Sequence, residues 1–350
     1  MTKALFLRGR PGSSTVMTPS WPWTKDVFVY EDAPVGDIRQ KDAELLEYAK
    51  QSKPDIIFYM SVCPRDGQMY GGESNEGIPH TNTLLKLRTI APLVHVCSDG
   101  GDPGWIKALR YYDARECFDA QVNIDGVKDW PLAGRSNAMV ALCPCPPVDV
   151  QVLPLSERPV PFGYTGSMGL GTKRHRLCEQ LKVSAGLQVH VRQCLSAKTA
   201  DPYEEYMRRL ASYRISFNTA WSGHEECNHV KARVSESGWM GCCLLETAGS
   251  KTRDWFEPGK DYHEYEDAFD AAREVRELLD DPPYAQWVAD NLRRKVTENH
   301  NPEKFWRQAC ELVGVSIKES NSAPEETSRG GSRQSRDFVT QGNGGAYGVS

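Results

Sequence analysis

The sequence predicts an α/β protein made of two consecutive strand-helix series, and three observations carry this. Short apolar runs of strand length recur between longer segments with helical spacing. A proline-rich stretch over residues 143–161 divides one series from the next. A chain of 350 residues is long for a single hydrophobic core, so two domains are expected. Their limits are read as 1–150 and 151–317, followed by a Ser/Gly/Glu/Arg-rich tail over 318–350 that is expected to be disordered.

The first series opens with Lys3 to Leu7 as a buried strand, and its loop, carrying Gly9 and Gly12, is either a ligand-approaching loop or an ordinary turn. Val27 to Tyr30 reads as a second strand. Ala43, Leu45, Leu46 and Ala49 share a helical face, and Lys53-Pro54 stops that helix before the apolar run from Ile56 to Met60. The unit repeats, with a helix over Thr83 to Ile90 and a strand from Leu93 to Cys97 that ends in polar residues. Polar side chains at the carboxyl end of a parallel strand face the crevice where open sheets bind ligands, which makes His95 and Asp99 candidates for catalysis or acceptor contact. The alternatives are a core histidine and a turn former. Ala120 to Gly126 alternates like a strand near a sheet edge, and Cys143 and Cys145 lack the second ligand pair that zinc needs.

In the second series, Phe162 to Thr165 is a strand and Gly166 to Gly171 a flexible loop. Lys173, Arg174 and Arg176 then open a helix with Leu177 and Leu181 inward. Cations at a helix N-terminus oppose the macrodipole, so an anion such as a diphosphate would reconcile the placement, with a solvated basic face as the alternative. A strand through Leu187, Val189 and Val191, a helix through Tyr203, Tyr206, Met207 and Leu210, and a strand through Ile215 and Phe217 follow. His224, Glu225, Glu226, Cys227 and His229 can all ligate zinc, but their spacing matches no ligand pattern, and no metal is expected.

Residues 228–249 organise the rest: a helix carrying Val230, Val234 and Glu236 ends at Gly241, Cys242 to Leu245 form a buried strand, and the loop Glu246 to Ser250 opens another helical segment. This order sets a carboxylate beside backbone N–H groups, a pairing suited to ribose hydroxyls and phosphate. Pro258-Gly259 is a turn into an edge strand. Three helices close the series, with Phe269, Ala272, Val275 and Leu279, then Tyr284, Trp287, Val288 and Leu292, then Phe305, Trp306, Ala309 and Val313 inward.

The net charge of −5 gives no electrostatic reason to expect nucleic acid. Eleven cysteines without a preceding secretory signal or regular spacing point to a reducing, cytoplasmic compartment. No apolar run approaches the ~18 residues of a membrane span, though peripheral membrane contact stays open.

The run Lys231-Ala232-Arg233-Val234-Ser235-Glu236 through Gly241 resembles the K-x-R-x-x-E-x-x-x-x-G signature of group 1 glycosyltransferases, and most closely the spore-maturation CgeB-like branch. Phe162 to Ser167 is similar to that family's F-x-G-S strand and loop, and Phe256 to Asp261 to its P-G-x-D turn. Lys53 to Ile57 and His300 to Trp306 add weaker matches, so that the likeness spans roughly residues 40–315. It implies the GT-B fold, two Rossmann-like domains around a cleft, with a nucleotide-sugar donor in the second and the acceptor largely in the first. On that likeness Glu236 hydrogen-bonds the ribose, with Asn228 in place of the first glutamate of the family motif. Gly166, Ser167, Arg174, Lys231 and Arg233 lie near the donor, and the loop Thr247, Ala248 and Gly249 offers backbone N–H groups. The implied reaction is a metal-independent, retaining hexosyl transfer to a sugar, glycan, lipid-linked or protein hydroxyl, with no cofactor. Alternatives are a sugar-nucleotide isomerase or phosphorylase on the same fold, or a non-catalytic nucleotide-sugar-binding protein.

Overall fold

The structure, a computed structural model, describes residues 2–8, 17–29, 38–60, 79–98, 103–167, 171–183, 190–194, 202–221 and 229–318. Gly9, Gly12, Asp99, Asn228, the residues 224–227 of the possible metal cluster and the tail beyond 318 lie outside these described residues, as does the Ser167 side chain.

Two parallel sheets form the frame. The first contains β1 (Lys3–Arg8), β2 (Thr24–Val29), β3 (Ile56–Met60), β4 (Leu93–Cys97), β5 (Ala120–Asn123) and β6 (Ala138–Val140), in the order β2-β1-β3-β4-β5-β6. Its helices are α1 (Ile38–Ser52), α2 (Thr81–Arg88) and α3 (Pro103–Asp113). Every residue of β3 and β4 is buried, as expected of parallel strands covered on both faces. Lys53 adopts a φ of 49° after α1, and Pro54 follows, so the helix stops where the sequence places its end.

The second sheet holds β7 (Val160–Ser167), β8 (His190–Cys194), β9 (Tyr213–Phe217), β10 (Cys243–Thr247) and β11 (His263–Tyr265), ordered β8-β7-β9-β10-β11. Around it run α4 (Lys173–Val183), α5 (Tyr203–Ala211), α6 (Ala232–Trp239), α7 (Ala268–Asp280) and α8 (Pro282–Asn299), and α9 (Pro302–Glu311) follows. Both sheets carry the same doubly wound order. Their ligand crevices therefore fall outside the carboxyl ends of β1 and β3 in one, and of β7 and β9 in the other.

Helix α9 crosses back to the first sheet. Phe305, Trp306, Ala309 and Cys310 are buried with Phe6, Trp21 and Phe58, and the Trp306 ring centroid lies 4.8 Å from that of Phe58. The Trp306 indole N–H donates to Ser20 Oγ at 2.9 Å, and the Lys318 amide donates to Thr2 Oγ1 at 2.7 Å. Helical spacing shows that this segment has one apolar face, but not which sheet it covers.

Two expectations about helix faces are corrected. Phe269 is 66% exposed, while Ala268, Ala271, Ala272, Val275 and Leu278 face inward. The cause is the phase set by the N-cap: Asp267 Oδ1 accepts from the amides of Phe269 and Asp270, which turns Phe269 outward. Tyr284 and Trp287 are likewise exposed on α8, and Val288 and Leu292 fill the core. Val230 precedes α6 instead of lying on it, since Lys231 is the N-cap, yet it packs in the same cluster as Val234.

Candidate functional site

Polar residues gather where β7, β9 and β10 end. Asn218 and Thr219 follow β9, Glu246 and Thr247 finish β10, and all four are at least nine-tenths buried. Arg233, from the first turn of α6, reaches over them: its Nε donates to the Thr165 carbonyl at 2.7 Å, its Nη1 donates to Asn218 Oδ1, and its guanidinium stands 4.5 Å from the Tyr164 ring centroid. Asn218 Nδ2 in turn donates to Glu246 Oε2 at 2.5 Å, and the Thr247 amide donates to Glu246 Oε1 at 2.7 Å. Burial pushes the Glu246 carboxyl up to about 7, against the opposing pull of these hydrogen bonds and of Arg233.

Gly166 makes room for this arrangement. Its φ is 145°, and a Cβ there would lie 1.9 Å from Arg233 Nη2.

Three further cations approach the same ends. Arg174, in the first turn of α4, donates from Nε to Thr219 Oγ1 at 2.7 Å and from Nη2 to the Trp221 carbonyl at 3.1 Å, so its guanidinium is held against the β9 loop. Lys173 Nζ stands 4.0 Å from the Trp221 ring centroid. Lys231, at the N-terminus of α6, has its Nζ 3.5 Å from His229 Nδ1. Cations at two helix starts lose against the macrodipoles unless an anion sits between them.

Glu236 lies one turn further along α6, 6% exposed, and accepts a 2.5 Å hydrogen bond from the Tyr206 hydroxyl of α5 through Oε2. Burial raises its pKa, opposed by the bonds from the tyrosine and by Arg233. The loop after β10 departs from expectation. The Thr247 amide serves Glu246, and the Ala248 amide donates to the Tyr265 carbonyl at 2.8 Å. Two of the three N–H groups expected to face a ligand are thus committed to the fold, while Gly249, at a φ of 71°, borders open space.

His95 is corrected more sharply. It is fully buried in β4, its ring 4.5 Å from that of Phe118 and 5.4 Å from that of Tyr112, centroid to centroid. Strand periodicity places it on the face covered by α3, among aromatic rings, and not in the crevice. This placement is the one that the alternative reading, a core histidine, describes.

Of the predicted residues, the structure thus gathers Gly166, Arg174, Lys231, Arg233, Glu236, Thr247, Ala248 and Gly249 at one end of the second sheet. Sequence reasoning missed Asn218, Thr219, Glu246 and Tyr206. The available signal was the recurrence of polar residues just where three apolar strands stop.

Comparison with known proteins comes to the same place. Residues 174–311 match the model of a family described as glycosyl transferase-like. No curated protein sequence matches the chain. Among solved structures, an alpha-glucosyltransferase in complex with UDP and a 13-mer DNA is similar, with a TM-score of 0.61 at 11% identity, over 89% of this chain and 100% of that one. HepE of Anabaena, in complex with UDP and glucose, is similar at 0.59 and 12% identity over 89% and 99% of the two chains. Sucrose-phosphate synthase from Thermosynechococcus elongatus gives 0.53 and 13% over 89% and 98%. The fold is GT-B, and residues 174–311 are similar to a glycosyl transferase-like family. Among the described residues no helix is long and apolar enough to cross a membrane.

Proposed function

We propose that the protein transfers a sugar from a nucleotide-sugar to an acceptor hydroxyl, binding the donor at the carboxyl ends of β7, β9 and β10. The observation that carries this reading is the convergence of Arg174, Lys231 and Arg233 on one end of the sheet with Glu236 beside them. In this reading Glu236 takes the ribose hydroxyls through Oε1, while Tyr206 occupies Oε2. Arg174 and Lys231 face the diphosphate and stabilise the charge that grows on it as the glycosidic bond breaks, which supplies by fixed cations what a metal would otherwise supply. The donor phosphate accepts the proton of the incoming hydroxyl on the same face of the sugar, so the anomeric configuration is retained. Gly166 keeps the backbone low enough for Arg233 to lie across it.

Similar structures were solved with UDP or UDP-glucose, which makes UDP-sugars the first donors to test. Thermal-shift measurement with UDP-, GDP-, dTDP- and ADP-sugars at millimolar concentration, with Glu236→Ala as control, tests the site. A donor that raises the melting temperature of the native chain but not of the variant supports it. If no nucleotide-sugar shifts the native chain, the donor-site reading fails.

A further inference from the structure

A second polar cavity lies at the opposite end of the first sheet, away from the crevice. It has a volume of about 270 Å³, with Arg88, Asp113, Asp119, Gln121 and Arg135 in its wall. Asp119 immediately precedes β5, and its Oδ2 accepts the amide of Leu93 at the start of β4, which fixes the cavity at the amino ends of these strands.

Gln121 is the feature that needs an explanation. It is 7% exposed, it borders the cavity, and its Oε1 has no hydrogen-bond donor among the described residues. Folded proteins leave few buried amide oxygens in that state. A ligand hydroxyl entering this cavity would give that oxygen the donor it lacks.

The walls narrow the chemistry. Arg88 donates from Nε and Nη2 to Asp119 Oδ1, at 3.0 and 2.6 Å, and Arg135 pairs with both carboxylate oxygens of Asp113. With Glu116 the lining holds three carboxylates against two guanidiniums, a balance that disfavours an anion. Planar ion pairs keep unused lone pairs and N–H groups at their rims, spaced to meet vicinal hydroxyls. The volume falls below the ~300–1,000 Å³ of drug-sized ligand pockets, so it suits one small ring. A neighbouring cavity of about 370 Å³ shares Arg88 and Asp119 in its wall, and gives a longer ligand somewhere to continue.

We propose that this cavity is a saccharide-binding site separate from the donor crevice, in which a neutral hexopyranose hydroxyl donates to Gln121 Oε1 and vicinal hydroxyls engage the Arg88–Asp119 and Arg135–Asp113 pairs. The site does not depend on the transfer reading, and its test needs no turnover. The full-length chain, with UDP in excess, is titrated with glucose, galactose, mannose and N-acetylglucosamine, followed by saturation-transfer NMR and calorimetry. At least one sugar saturates with a millimolar Kd, and Gln121→Leu and Arg135→Ala each weaken it by about tenfold. Arg174→Ala leaves it unchanged. Because the Arg135 side chain is half exposed, Arg135→Ala keeps the test valid if Gln121→Leu fails to fold. Absence of saturable binding by all four sugars, binding that survives both substitutions, or binding lost in Arg174→Ala would each overturn the proposal.

Discussion

Replacing Glu246 by Gln should flatten the dependence of stability on pH, and the size of the effect follows from its surroundings. The carboxyl is fully buried, and burial raises its pKa from the ordinary 4.5 to about 7. A raised carboxyl binds its proton more tightly in the folded chain than in the unfolded one. Its contribution is therefore fully present below about 4.5 and is lost as pH rises through about 7. A change from 4.5 to 7, at 1.36 kcal/mol per pKa unit, corresponds to about 3 kcal/mol. Glutamine cannot ionise. It also loses one of the two hydrogen bonds from Asn218 and Thr247, but that offset does not vary with pH. Urea unfolding at intervals from pH 4.5 to 8.5 gives the free energy for both chains, and their difference should fall by about 3 kcal/mol across the window. Parallel curves for the two proteins would refute the argument, because they would mean that Glu246 enters the folded state already ionised.

Arg174→Ala and Lys231→Ala should each lower kcat by about 10²- to 10³-fold, the scale of losing one electrostatic stabiliser of a developing anion, while the melting temperature moves little. Equal losses of stability and turnover would assign these side chains to the fold instead. Gly238→Ala should destabilise by about 1–3 kcal/mol despite the better helix propensity of alanine, since a Cβ there would lie 2.7 Å from Val296 Cγ2 and 3.1 Å from Leu292 Cγ of α8. Gly134→Ala, which meets nothing within 4 Å, is the matched control in the same denaturation assay. Trp306→Ala should cost about 3–5 kcal/mol, because the ring is fully buried against Phe6, Trp21 and Phe58; urea midpoints within error of the native chain would contradict the packing of α9 on the first sheet.

What the sequence made legible was local. Strand β3 is a continuous apolar run of five residues, β4 is one interrupted by His95, and β10 opens on the apolar run Cys243 to Leu245; burial on both faces follows from that composition. The cations and the carboxylate at α6 could be read because Lys231, Arg233 and Glu236 resemble a known signature packed into six consecutive residues. Strand β6 escaped because Ala138–Val140 is short and half buried, and α3 because it opens on Pro103-Gly104, residues that punctuate loops as often as they start helices. Contacts between distant segments were out of reach. The Asn218–Glu246 bond joins residues 28 apart, and its existence depends on the register of β9 against β10. His95 shows the limit from the other side, since alternation identifies a strand without saying which face a crevice will meet.

One such distant contact ties the site to the other half of the molecule. The Val230 amide donates to the Asp125 carbonyl at 2.8 Å, and the Trp255 indole N–H donates to the Gly126 carbonyl at 2.7 Å. Lys128 Nζ donates to the Asp254 carbonyl at 2.5 Å, and Lys251 pairs with Asp129 at 2.9 Å. The joint is thus centred on two consecutive backbone carbonyls of the first half, which cannot swing as side chains can. Gly126 is required there: its φ is 62°, and a Cβ would meet Val230, Leu142 and Trp255 atoms at 2.8–2.9 Å. Val230 immediately precedes Lys231, the N-cap of α6, on which Arg233 and Glu236 ride. A rotation of one half against the other must therefore either break the Asp125–Val230 bond or carry the start of α6 with it. The cations of the second sheet and the carboxyl end of β5 in the first are in this way linked by a joint whose Asp125–Val230 bond is adjacent in sequence to the residues proposed to hold the donor.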